Sequence, residues 1–270
     1  MAALEKRQTL AVNLHCAGHY AQSEAEWRAI LSISQRLFGL EHPDTLDSRC
    51  NLAGALHSQG KFAEAETEWR AVVAIRQCVL GPEHPDTLDS RVDLIRALRA
   101  QRKFAEVEAE ARAVLSIRQR ILGPEHSNTL YIRYNLAEAL GAQGKYNGAE
   151  AEFRTVWNIR HRILGPEHSN TLYIRYNLAE TLRAQGKYNE AEAEFRAVLA
   201  SHGHVEHSTV LKSCYGLALC LKDQDKQLEA LPFAQRAVEG LRKLPGDDAH
   251  PNSKEAEKLL DDIKQSLKSK

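Results

Sequence analysis

The sequence has no charge bias, no membrane segment and no cysteine framework, and each absence removes a class of function. Its 36 basic residues cancel its 36 acidic ones, so no net field draws the chain to nucleic acid or to an anionic membrane. No apolar stretch approaches the roughly 20 residues that a membrane span requires, and the opening MAALEKRQTL lacks the apolar core of a secretory signal. The expectation is a cytoplasmic protein without nucleic acid or membrane as partner. The five cysteines, Cys16, Cys50, Cys78, Cys214 and Cys220, are odd in number and never spaced C-x-x-C, which argues against a disulfide framework or a thiolate zinc site. G-x-S-x-G, Walker, H-E-x-x-H and Gly-rich dinucleotide motifs are missing too, so no enzyme and no cofactor is expected.

What is present is a repeat. His-Pro-Asp-Thr-Leu stands at 42–46 and 84–88, and His-Ser-Asn-Thr-Leu at 126–130 and 168–172, each copy 42 residues after the last. A drifted copy, His207 to Leu211, follows a linker shortened by three residues, and His250-Pro251-Asn252 opens a last segment. Between the markers the text reads as a helix pair. In the copy from 127, Leu130, Leu136, Ala137 and Leu140 share one face, and Tyr146, Ala149, Phe153, Val156 and Ile159 form the stripe of a second helix that covers it. Gly144 sits where a helix end favours positive φ, and Pro43 and Pro85 suit a first helical turn. No segment alternates as a strand does.

Setting Tyr20, Phe62, Phe104, Tyr146 and Tyr188 in register predicts an all-α array along 1–270, read as one domain. Its repeats run at about 1–40, 41–82, 83–124, 125–166, 167–205 and 206–244, and a capping helix follows over 252–268. That last helix sets Leu259, Leu260, Ile263 and Leu267 opposite a charged face. The recurring histidines read as structural loop punctuation, and the recurring glutamates as helix-surface residues.

The text resembles the tetratricopeptide repeat family, specifically the long 42-residue kind of kinesin light chains and bacterial repeat proteins. The resemblance rests on Asn-Leu-Ala (51–53, 135–137, 177–179), Gln-Gly-Lys-Phe/Tyr (59–62, 143–146, 185–188), Glu-Ala-Glu (64–66, 150–152, 190–192) and Leu-Gly-Pro-Glu-His-Pro (80–85). It implies a right-handed superhelical solenoid whose first helices line a concave groove, and it implies binding of a protein or peptide. The third repeat departs from the pattern, with Asp93 for Asn, Ile95 for Ala and Arg102 for Gly.

First-helix positions turned away from the second helix are the candidate site. They include Asp47, Cys50, Asn51, Gly54 and His57, then Asp89, Val92, Asp93, Arg96 and Arg99. Tyr131, Tyr134, Asn135 and Glu138 follow, with Tyr173, Tyr176, Asn177, Glu180 and Arg183, and finally Lys212 and Tyr215. Five of the eight tyrosines fall on the first helices of repeats four to six. Tyrosine offers rigid amphipathic area and suits a peptide platform, or it packs between neighbouring first helices. Asn51, Asn135 and Asn177 match the family's groove asparagine, which binds the backbone of an extended peptide, and the alternative is a bond within the stack. Arg96, Arg99, Arg183 and Lys212 suit a carboxylate, or are solvated surface charge.

The leading expectation is therefore a non-catalytic interaction scaffold with a peptide in its groove. The alternatives are a receptor for a small molecule or signalling peptide and a homo-oligomeric module assembled through the first helix. One run, His202, His204, Glu206 and His207, carries ligand types that zinc or nickel accepts, although only His202 and His204 are additions to the repeat text. The expected metal content is none.

Overall fold

Every regular element is a helix because each repeat offers two apolar stripes of helical period and punctuates them with Gly, Pro and capping residues. The computed structural model describes residues 2–202, 208–243 and 252–268, and among these there are thirteen helices and no strand. Six hairpins run in chain order. They are α1 (Ala2–Cys16) with α2 (Tyr20–Phe38), α3 (Pro43–Ser58) with α4 (Phe62–Val79), and α5 (Pro85–Ala100) with α6 (Phe104–Leu122). Then come α7 (Ser127–Ala142) with α8 (Tyr146–Leu164), α9 (Ser169–Ala184) with α10 (Tyr188–His202), and α11 (Ser208–Asp223) with α12 (Gln227–Lys243). The thirteenth, α13 (Asn252–Lys268), stands alone.

The chain groups into two compact units, Met1–Ala139 and Leu140–Lys270, with the boundary inside α7. In the first unit each helix from α1 to α6 packs on the next, around Leu52, Leu56, Trp69, Leu94 and Leu98. In the second, α8 to α13 do the same, and α9 and α13 also touch α11. Ala256, Leu259 and Ile263 of α13 are buried, so its apolar stripe closes the second unit as the spacing predicts.

The histidines that open the second to fifth repeats have a local job. In His42, His84, His126 and His168, Nδ1 accepts the backbone N–H two residues on at 3.1–3.2 Å, capping the first helix in the manner of an Asn side chain. Pro43 and Pro85 occupy the adjacent first turn, where a missing N–H costs nothing. The turn inside the hairpin needs positive φ, supplied by Gly60 (78°) and Gly144 (75°). In the third repeat Arg102 takes that place at φ 60°, an uncommon conformation for a residue with a Cβ.

Neighbouring repeats are clasped by a carboxylate, which corrects the reading of the recurring glutamates as surface residues. Glu66 on α4 is only 7% exposed. It accepts from Gln101 at 2.6 Å and Lys103 at 2.7 Å in the next repeat, and from Arg70 at 2.8 Å one turn along its own helix. Arg70 also reaches Glu106 of the next repeat. Glu24 repeats the arrangement with Gln59, Lys61 and Arg28 in the first unit, as do Glu150 and Glu192 in the second. Burial pushes the Glu66 and Glu150 carboxyls up, but the hydrogen bonds from Lys, Arg and Gln more than reverse this and hold both at about 2.

Close helix contact in the second unit requires two glycines. A Cβ at Gly216 would lie 2.5 Å from the Phe195 ring and from Glu180 Oε1, and one at Gly240 would lie 2.2 Å from Leu211. Any larger residue at either position would make Glu180, Phe195 or Leu211 shift, so α11 packs closely on its neighbours here.

Two outcomes follow. Arg102→Gly should relieve a left-handed backbone and raise stability by about 0.5–1 kcal/mol after the added entropy of the unfolded chain is subtracted. Urea unfolding tests this, and a midpoint that falls would contradict it. The folded Glu66 carboxyl lies below its unfolded value of about 4.3, so its contribution is complete above about pH 4.5 and drains away as the pH falls toward about 2. Glu66→Gln should therefore lose less stability between about pH 5 and about pH 3 than the parent chain. Equal acid slopes in thermal melts would remove the clasp from the account.

Candidate functional site

The first-helix face of the first unit holds a recess of about 280 Å³, bordered by Val12 and His15 of α1, Asn51 and Gly54 of α3, and Asp93 and Arg96 of α5. Cys16 and Cys50 also line it, and Trp27 and Trp69 of the second helices form its inner wall. Gly54 opens the space. A Cβ there would meet no atom within 4 Å, whereas the equivalent positions 96, 138 and 180 carry Arg or Glu. Both tryptophans are buried, so they give the recess a stiff apolar side.

The rim is polar. Asn51 donates its Nδ2 to the Asp47 carbonyl at 2.9 Å, one turn back, and the residue is exposed. Arg96, also exposed, donates to Asp93 Oδ1 at 3.0 Å. Burial raises the Asp93 carboxyl, opposed by the Arg96 charge. Burial lowers the nearby His57, and Arg96 adds to the effect, so this imidazole stands neutral beside the rings of Phe62 and Trp69 at 5.0 and 5.8 Å. Burial pushes the Cys50 thiol up to about 11, which leaves it un-ionised and a poor nucleophile at neutral pH.

Further along the first unit the candidate residues turn toward one another. Arg99 donates to Glu138 and, at 3.4 Å, to Asn135 Oδ1. The Tyr134 hydroxyl donates to Glu138, and Asn135 Nδ2 donates to the Tyr131 carbonyl at 2.7 Å. Asn135 is fully buried and Tyr134 is 8% exposed, so their polar atoms serve this network, while Tyr131 stays half-buried.

In the second unit Tyr173 is exposed, and Asn177 donates to its carbonyl at 2.7 Å. Tyr176 is half-buried, with its ring centroid 6.2 Å from that of Phe195, and burial followed by the Glu180 charge raises its hydroxyl. Burial raises the Glu180 carboxyl against the pull of Arg183, which donates to it at 3.2 Å and lies 3.7 Å from Asp223. Lys212 and Tyr215 of α11 are half-buried, and Tyr215 packs against the cluster of Leu211, Cys214 and Ala256.

The recess was not singled out by residue type. Its signals were a glycine where the next three repeats place a long polar side chain and tryptophans where later repeats have Phe153 and Phe195. Of the candidate metal ligands, His204, Glu206 and His207 and the side chain of His202 lie outside the described residues. Among the described residues no helix is long and apolar enough to cross a membrane.

Four consecutive segments of the chain, 5–44, 45–86, 87–128 and 129–202, match the tetratricopeptide repeat family. No curated protein matches the sequence. Among solved structures, a Podosopora anserina protein of kinesin light chain type with nearly identical TPR-like repeats is similar, at 29% identity and a TM-score of 0.68, over 74% of this chain and 94% of that one. YrrB, described as a TPR protein with an unusual peptide-binding site, is similar at 14% identity and a TM-score of 0.53, over 84% of this chain and 97% of its own. The apo quorum sensor NprR of B. thuringiensis shares the fold at 10% identity and a TM-score of 0.69, over 96% of this chain and 68% of its own. With matches over 5–202 and six helical hairpins of the expected register, the chain belongs to the tetratricopeptide repeat family.

Proposed function

We propose that the protein is a non-catalytic interaction scaffold that takes a peptide or partner segment along its first-helix faces. Tetratricopeptide repeat proteins in general mediate protein–protein interactions, which supports the coarse reading. The observation that carries the finer one is the recess opened by Gly54, where a polar rim meets a stiff apolar wall. Such a site fixes orientation with a few polar groups and gains affinity from apolar contact.

Asn51 and Arg96 are the rim residues best placed for a ligand. Asn51 keeps an amide hydrogen and its Oδ1 beyond the bond to Asp47, matching the donor and acceptor of an extended backbone. Arg96 spends one of its five donors on Asp93 and has others for a carboxylate. In the second unit the exposed Tyr173 and the neighbouring Asn177 offer a platform of the same kind. Arg99, Tyr131, Tyr134, Asn135 and Glu138 act behind this surface, holding the first helices in place through their own bonds. In the second unit Arg183 bonds to Glu180 and pairs with Asp223 of α11, and Tyr215 packs against Leu211, Cys214 and Ala256 beside the half-buried Lys212. The peptide-binding site that the description of YrrB records for that protein lends support at the level of the fold.

Peptides selected by display against the full chain should lose at least about tenfold in affinity to Gly54→Leu, whose Cβ has open space and whose further carbons occupy the recess, and to Arg96→Ala. Calorimetry of synthetic peptides measures this. Peptides that bind Gly54→Leu as tightly as the parent chain would move the site elsewhere.

A further inference from the structure

The end of α2 and the loop after it carry the two most exposed leucines of the first unit, Leu37 (62%) and Leu40 (58%). Phe38 between them is half-buried and stacks on His42 with ring centroids 4.7 Å apart, so the apolar tip is held by ring packing. Arg36 and Glu41 flank it. Both are exposed, and among the described residues neither has an ion-pair partner. In the third repeat the equivalent arginine, Arg120, pairs with the equivalent glutamate, Glu83. In the second repeat Cys78 stands in the arginine position and leaves Glu41 without a cation.

An apolar centre with an unmatched cation on one side and an unmatched anion on the other is complementary to itself. Turned about a two-fold axis, a second copy sets leucine on leucine and forms the Arg36–Glu41 pair twice. We infer that the end of α2 is a self-association surface, occupied by the α2 end of a second copy of this chain. The patch is small compared with the roughly 1,200 Å² or more buried in a stable complex, so the dimer is weak and concentration-dependent. The outer face of α1 is the competing surface. Leu10 there is 47% exposed, whereas its equivalents Leu52 and Leu94 are at most 3% exposed. That face also exposes Lys6 and Asn13 where other repeats bury Ser48 and Ala55, which suits water better than a second apolar surface.

Sedimentation velocity of the full chain from micromolar to millimolar concentration should show a shift from the 30.3 kDa monomer toward twice that mass. Leu37→Glu with Leu40→Glu should stay monomeric at every concentration with an unchanged thermal midpoint. Arg36→Glu and Glu41→Arg should each weaken the dimer roughly tenfold. An equimolar mixture of the two should restore it, because each supplies the charge the other has lost. A parent chain that is monomeric throughout, a mixture that fails to recover, or a dimer dissolved by Leu10→Glu and not by the leucine pair overturns the inference. Gly54→Leu should leave the dimer intact, so this reading and the groove reading fail separately.

Discussion

A buried or half-buried carboxylate at Glu24, Glu66, Glu150 and Glu192, each ringed by a lysine, a glutamine and an arginine, is the constraint on which the stacking of those repeats depends. Apolar burial brings helices together without fixing their register, because it is roughly proportional to area and has no direction. The bonds from Gln101 and Lys103 to Glu66 are directional, and they join residues 35 and 37 positions apart. A repeat that slid or rotated against its neighbour would strand a buried anion, a loss far larger than that of a surface pair. The leucines at 52 and 94 then need only fill the space that the clasp defines.

The same economy of polar groups shapes the candidate site. Asn51, Asn135 and Asn177 each donate to the carbonyl one turn back in their own helix, so this repeated asparagine is first a helix-face residue. What a ligand can reach depends on what stands beside it. Around Asn135, Arg99 and Glu138 fill the space and bury it, whereas beside Asn51 the glycine at 54 leaves the space empty. Two stretches of closely similar text therefore present different chemistry, and in the first unit the accessible part lies nearer the N-terminal end of the array than the tyrosines suggest.

Much of the fold was legible in the sequence because its signals are local. Hairpin turns at Gly60 and Gly144, prolines at the starts of α3 and α5, and the stripe of α13 are each fixed by a few residues and by helical period. The histidines were legible as punctuation, but not as caps, since capping depends on where Nδ1 points. The glutamates were misread for a related reason. A lone carboxylate among alanines on a helix looks solvated until its partners, 35 to 37 residues away, are known to converge on it.

By itself the sequence determined the helices, the 42-residue register and the membership of the family, because periodicity and turn chemistry act over a few residues. Only the tertiary structure decided which polar side chains are free. Tyr131 and Tyr173 occupy the same repeat position, 42 residues apart, yet the first is half-buried and the second exposed. Exposure is a property of what packs around a residue, and the residue's own identity does not contain it. The recess at Gly54 is the clearest case, since an absent side chain acquires meaning only when its neighbours are in place to frame the gap.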